Sequence, residues 1–194
     1  IVSAMHDTLV GHSKLNGKRM LVTAGGTQEA IDPVRYIGNR SSGKMGFAIA
    51  EEAALRGAQV ELISGPVELK LERPGISRTD VIAAADMAEA CRALAPRADA
   101  VIMCAAVADY RPANAADGKI KKKDAALQIA LEPTEDILAW MGANKTSSQR
   151  LVGFALGTDK EMAKAPGKPG GTQRDSPVAQ RHPDGGGGLR TSAL

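Results

Sequence analysis

Residues 38–46 read "GNRSSGKMG". A glycine, four spacers, a second glycine and a lysine reproduce a phosphate-binding P-loop up to its last position, where Ser or Thr must follow the lysine to hold magnesium. Met45 stands there instead. A second glycine cluster, "TAGGT" at 23–27, lies upstream, and a dense basic run, "KIKKK", occupies 119–123. Glycine loops and lysines offer N–H and cationic donors, so they suit a site in which the negative charge of a bound phosphate or other anion must be stabilised. Neither loop has the Gly-x-Gly-x-x-Gly spacing of a dinucleotide fold, which weighs against an NAD(P)-dependent oxidoreductase.

The hydrophobic pattern names the elements that carry these residues. "KRMLVTAGG" (18–26) reads as a buried parallel strand entering a ligand loop. "GKMGFAIAEEAALRG" (43–57) reads as an amphipathic helix closed by Gly57. Further strands are expected within 58–64, 75–83, 98–110, 126–133 and 150–156, and helices over 84–95 and 134–144. The alternation predicts an α/β, Rossmann-like twisted sheet, mostly parallel, with helices on both faces. Ligands in such sheets bind beyond the carboxyl ends of the strands. That rule selects four segments: 24–27, 105–110, 133–138 and 153–159. A true P-loop joins the first strand directly to the first helix. Here "QEAIDPVRYI" separates the two glycine clusters, so the second is a different cradle at a helix N-terminus, with hydroxyls from Ser41 and Ser42.

At 194 residues the chain holds one ordinary domain with loose ends. A net charge of +3, from 25 basic and 22 acidic residues, is too weakly biased for a nucleic-acid groove. Cys91 and Cys104 have no metal-ligand spacing, and no stretch is long and apolar enough for a membrane span. These features predict a cytoplasmic protein with no nucleic-acid or membrane partner and no cysteine-held metal.

"TAGGTQEAIDPVRYIGNRSSGKMG", "AAVADYRP", "KIKKK" and "LVGFALGTD", in this order, resemble the phosphopantothenate–cysteine ligase domain of the bacterial bifunctional coenzyme A biosynthesis protein. The resemblance covers roughly residues 18–161. It implies amide ligation of 4′-phosphopantothenate with cysteine, using CTP and Mg2+, through an acyl-cytidylate that releases pyrophosphate and then CMP. It also implies a homodimer. Residues 1–17 resemble the linker that follows a flavin-dependent decarboxylase domain in the full protein, so FMN is expected only in that missing domain.

The resemblance assigns roles by position. Asn39 contacts phosphopantothenate and the acyl-cytidylate; Ala105 and Ala106 line the substrate groove. Ser41, Gly43 and Gly46 lie around bound phosphate, Gly25 lies near the nucleotide, and all four are counted with Asp109 as nucleotide-binding. Thr134, Glu135, Asp136 and Ile137 read the cytosine ring, with Phe154 near the base. Glu135 replaces the family's more usual Pro, and Gly157 its usual Glu. From the residues themselves, Lys119 reads as a flap lysine that can neutralise phosphate when substrate is bound, or else as part of a solvated charge run, and Arg35 as a partner of substrate phosphate or of a surface carboxylate.

The domain is assigned to 18–162. Beyond it the chain is rich in Gly and Pro and loses its period, so 163–194 is expected to be irregular or disordered, as a shifted reading frame would leave it. The family's basic helix and final strand would then be missing. The alternative function that follows is a weak or inactive binding fragment of the ligase.

Overall fold

The computed structural model describes residues 14–71, 73–122, 126–157 and 176–181. Most of the expected linker remnant and of the tail lies outside them.

Six strands form one parallel sheet: β1 (Arg19–Ala24), β4 (Gln59–Ser64), β5 (Ile76–Asp80), β6 (Ala100–Met103), β9 (Arg150–Gly157) and β10 (Ser176–Arg181). Its spatial order is β10-β9-β6-β1-β4-β5. Counted along the chain this is 6-5-4-1-2-3, the nucleotide-binding order that reverses beside the first strand. Two antiparallel pairs stand apart from the sheet, β2 (Gln28–Ala30) with β3 (Tyr36–Gly38) and β7 (Tyr110–Pro112) with β8 (Leu131–Pro133). The helices are α1 (Lys44–Leu55), α2 (Ala84–Leu94) and α3 (Ile137–Asn144).

Alternation along β1 divides the core into two layers. Met20, Val22 and Ala24 join Phe47, Ala50 and Ala53 of α1, with Val60 and Leu62, on one face. Leu21 joins Met87 and Cys91 of α2, Ile137 and Met141 of α3, Val101 and Leu151 on the other. β1 is buried from Met20 to Ala24, as its unbroken apolar run requires of a central parallel strand. α1 closes as expected: Gly57 takes φ 93° and donates to Ala54 O at 2.9 Å, and Ala58 donates to Ala53 O at 3.0 Å.

Three expectations are corrected. The strand expected within 126–133 shrinks to Leu131–Pro133 and pairs with β7 outside the central sheet. The third helix starts at Ile137 rather than 134, because the Asp136 carboxylate accepts from Ala139 N at 2.8 Å and caps it. In the tail, residues 176–181 are not irregular: β10 pairs in parallel with β9, from Ser176 beside Val152 to Arg181 beside Gly157. The unpaired backbone edge of β9 needs only a short partner, and Pro177, which lacks an N–H, is tolerated on an edge strand.

Candidate functional site

β1 runs directly into "GGT", and its neighbour β6 into the loop 104–109, at the point where the strand order reverses. The two loops are stitched together. Gly26 and Ala106 form an isolated parallel bridge, with Ala106 N donating to Gly25 O at 2.7 Å. Thr23 Oγ1 accepts from Cys104 N and Ala105 N, each at 3.1 Å, and Thr27 Oγ1 accepts from Ala108 N at 2.9 Å. Both threonines are fully buried. From the other side Thr134 Oγ1 donates to Ala108 O at 2.5 Å, and Thr134 N to Asp109 O at 2.9 Å.

The glycines have steric reasons to be glycine. Gly25 takes φ 75°, and a Cβ there would meet Gly65 O at 2.9 Å; Gly43 takes φ 73° beside Val67 and Gly25. Gly43 is also the N-cap of α1, with no side-chain cap on the helix, and its own N–H points at Ser41 Oγ at 3.3 Å. The first turn of α1 holds no acidic residue, so its N–H groups and dipole face the Gly25 loop uncompensated.

Exposed Asn39 lies across this cradle. Its Nδ2 donates to Val107 O at 2.9 Å, and its carbonyl oxygen has no partner among the described residues. Asn39, Gly25, Ser41, Gly43, Ala105, Ala106 and Thr134 therefore converge on one place, with exposed Asp109 at its margin.

Other predicted residues have different partners. Gly46 packs α1 on β1: a Cβ would meet Ala24 Cβ at 2.6 Å and Thr23 O at 2.9 Å. Arg35 is bound to Asp32 through Nε at 2.9 Å and through Nη2. The Glu135 carboxylate pairs with Arg92, whose guanidinium lies over the Trp140 ring at 5.5 Å. Asp136 is a helix cap, and Ile137 is buried in the core. Phe154 lies within β9 and pairs in register with Val178 of β10, while residues 158–159 fall outside the described chain. Lys119 is exposed.

Sequence reasoning passed over Thr23, Thr27 and Asp32. The threonines flank the "AGG" turn on both sides, the one signal that marked them. Asp32 is 3% exposed; its Oδ1 accepts from Val34 N at 2.8 Å and Arg35 N at 2.9 Å, closing the turn between β2 and β3. The Arg35 guanidinium holds its carboxyl well below the usual carboxylate range, against the effect of burial and with help from the N–H groups of Val34, Ile120 and Arg35. A cleft of about 640 Å³, lined by residues including Val67, Arg78, Val81 and Ile82, contains none of the predicted residues and adjoins Gly25 and Gly43 through Val67. Among the described residues no three His, Cys, Asp or Glu side chains gather to hold a metal, and no helix is long and apolar enough to cross a membrane.

Residues 15–192 match the family described as DNA/pantothenate metabolism flavoprotein C-terminal domain. That match runs past residue 161 and through β10. The chain is 47% identical over 158 residues to the coenzyme A biosynthesis bifunctional protein CoaBC of Haemophilus influenzae, covering 81% of this chain and 39% of that one. It is 45% identical over 168 residues to a protein named cysteine/cysteine sulfinic acid decarboxylase from an unknown prokaryotic organism, covering 87% and 47%. The chain thus spans less than half the length of these curated relatives. The crystal structure of the C-terminal domain of a CoaBC protein superposes with a TM-score of 0.73 at 43% identity, covering 85% of this chain and 78% of that one.

Proposed function

This chain belongs to the DNA/pantothenate metabolism flavoprotein C-terminal domain family, and from that premise we propose that it is a ligase of coenzyme A biosynthesis, joining 4′-phosphopantothenate to L-cysteine at the expense of CTP. One observation carries the reading. Asn39, Ala105 and Ala106, which resemble the ligase's substrate groove, meet the Gly25 and Gly43 cradle at the switch point of the sheet.

A carboxylate cannot expel oxide, so the acid must first be activated. Its oxygen attacks the α-phosphorus of CTP, the bond to the bridging oxygen breaks, and pyrophosphate leaves. The cysteine amine then attacks the acyl carbon of the acyl-cytidylate, the bond to the CMP oxygen breaks, and the amine proton passes to solvent. No protein nucleophile is needed. Backbone N–H groups at Gly25 and in the first turn of α1 suit the phosphates, and Lys119 suits the charge that grows in the first step. Asn39 has one amide hydrogen left for the acyl oxygen and a carbonyl oxygen to receive the cysteine amine.

Asp109 stands ready for the nucleotide. With the side chains of Glu135, Asp136 and Ile137 engaged elsewhere, the segment from Thr134 reads cytosine through its backbone, with Phe154 alongside. Mg2+ would be held mainly by the triphosphate, whose charge it would offset, because exposed Asp109 at the margin of the site suits a diffusible clamp better than a protein cage.

The exposed Val34, Tyr36, Tyr110 and Leu131 lie on or beside the antiparallel pairs and support a homodimer formed through them. Relatives more than twice the matched length, named bifunctional, support fusion to a decarboxylase domain in the full protein. The test is pyrophosphate release from CTP or ATP with 4′-phosphopantothenate, with and without cysteine. CTP-dependent release without cysteine, followed by amide formation when cysteine is added, is expected. No release while CTP still binds would favour an inactive fragment.

A further inference from the structure

The segment that carries Lys119 is gripped at one residue. Asp32 Oδ2 accepts from Ile120 N at 3.1 Å, while Arg35 Nη2 donates to Ile120 O at 2.8 Å. Both backbone groups of Ile120 are thus held by one ion pair more than 80 residues away in sequence. The turn that Asp32 closes needs only Oδ1, which takes the N–H groups of Val34 and Arg35. The second oxygen and the guanidinium are surplus to the turn; they bind each other, and Oδ2 and Nη2 each also reach Ile120. Ala116 N reaches Ile31 O at 2.9 Å, so the segment lies along this turn. Between 117 and 122 Ile120 is the only described residue with a backbone hydrogen bond, and Lys119 and Lys121 beside it are exposed.

We propose that Asp32 and Arg35 are positioning residues: together they clamp Ile120 and thereby fix where Lys119 meets the nucleotide. The assignment rests on the ligase reading above. A buried carboxylate demands a partner, and here that partner also reaches across to the lysine segment. The pair neutralises itself, so the lysines keep their full charge for an incoming phosphate. Holding the backbone beside Lys119 removes much of the freedom a flap lysine must otherwise lose at each turnover. Arg35 then acts through Lys119 instead of binding substrate phosphate itself.

The experiment is native trypsin cleavage of the full chain after Lys119 and Lys121, run beside CTP-dependent pyrophosphate release. Cleavage requires local opening, so Arg35→Gln should raise its rate about tenfold at these two bonds, with the melting temperature nearly unchanged. The same variant should lower kcat for pyrophosphate release about tenfold while the KM for 4′-phosphopantothenate stays near parental. Arg35→Lys, which keeps the charge on Asp32, should recover part of both. Lys119→Gln should lower kcat without changing cleavage after Lys121. Asp32→Asn is the second probe, read by cleavage at these bonds relative to cleavage elsewhere. Parental cleavage in a folded Arg35→Gln chain overturns the clamp, as does a raised KM with unchanged kcat, which would make Arg35 a substrate ligand. If the parental chain releases no pyrophosphate, the ligase reading fails, while the cleavage rates still decide whether the ion pair holds the segment.

Discussion

Gly46→Ala tests whether this glycine serves the ligand or the core. The added Cβ would lie 2.6 Å from Ala24 Cβ and 2.9 Å from Thr23 O. Carbon atoms settle at about 3.5–4.0 Å, so α1 must retreat from β1 by roughly 1 Å. That retreat loosens the contacts of Phe47, Ala50 and Ala53 with Met20, Val22 and Leu62. Overpacking of this kind costs about 1–3 kcal/mol, and the helix-propensity gain of Ala over Gly returns up to about 1. A net loss of about 1–2 kcal/mol at this chain length lowers the melting temperature by roughly 2–8 °C. Thermal denaturation followed by circular dichroism measures it. Adding Ala24→Gly removes the nearer obstacle and should restore part of the loss, with a coupling of about 1 kcal/mol, while Thr23 O still crowds the site. An unchanged melting temperature with weakened CTP binding would refute the packing argument and return Gly46 to the phosphates.

Asn39→Asp puts a carboxylate against Val107 O and against an anionic substrate; amide formation should fall at least about 100-fold, with little change in melting temperature, as followed by chromatography of the product. Burial pushes the thiols of Cys91 and Cys104 up to about 12, so both stay protonated at pH 8. Iodoacetamide should then label the native chain about 1000-fold more slowly than the denatured one, and faster as pH rises toward 12; rapid native labelling would contradict the burial. Deleting 163–194 removes β10 and bares the β9 edge; the truncated chain should melt lower and aggregate more readily in light scattering, whereas identical melting would show that β10 contributes nothing.

The strands that position the site were legible because they are buried on both faces: "RMLVTA" admits little but a central parallel strand. α1 announced itself through its period and Gly57. The antiparallel pairs did not, because three-residue strands such as Tyr36–Gly38 carry too few side chains to establish an alternation. β10 escaped for a related reason, since an edge strand takes its order from the backbone of β9 and can carry Pro177 and polar residues. Among the candidate site residues, the tight backbone turns at Gly25 and Gly43 were legible from their neighbours in sequence. The partners of Arg35, Glu135 and Asp136 were not, because buried Asp32, Arg92 and the N–H of Ala139 meet them only through three-dimensional packing or through where a helix starts.

The strand order also has a consequence for how the chain assembles. β1, the β2–β3 pair, α1, β4 and β5 follow one another along the chain and can assemble through nearer contacts, whereas β6 must return across some eighty residues to reach the free side of β1. Distant parallel pairing of that sort forms slowly. The candidate site straddles this seam, with Gly25, Asn39 and Gly43 from the early half and Ala105, Ala106 and Thr134 from the late one. A molecule bound there touches both halves, so it rivets the last joint to form, and amide hydrogens along β6 and β9 should exchange more slowly in its presence.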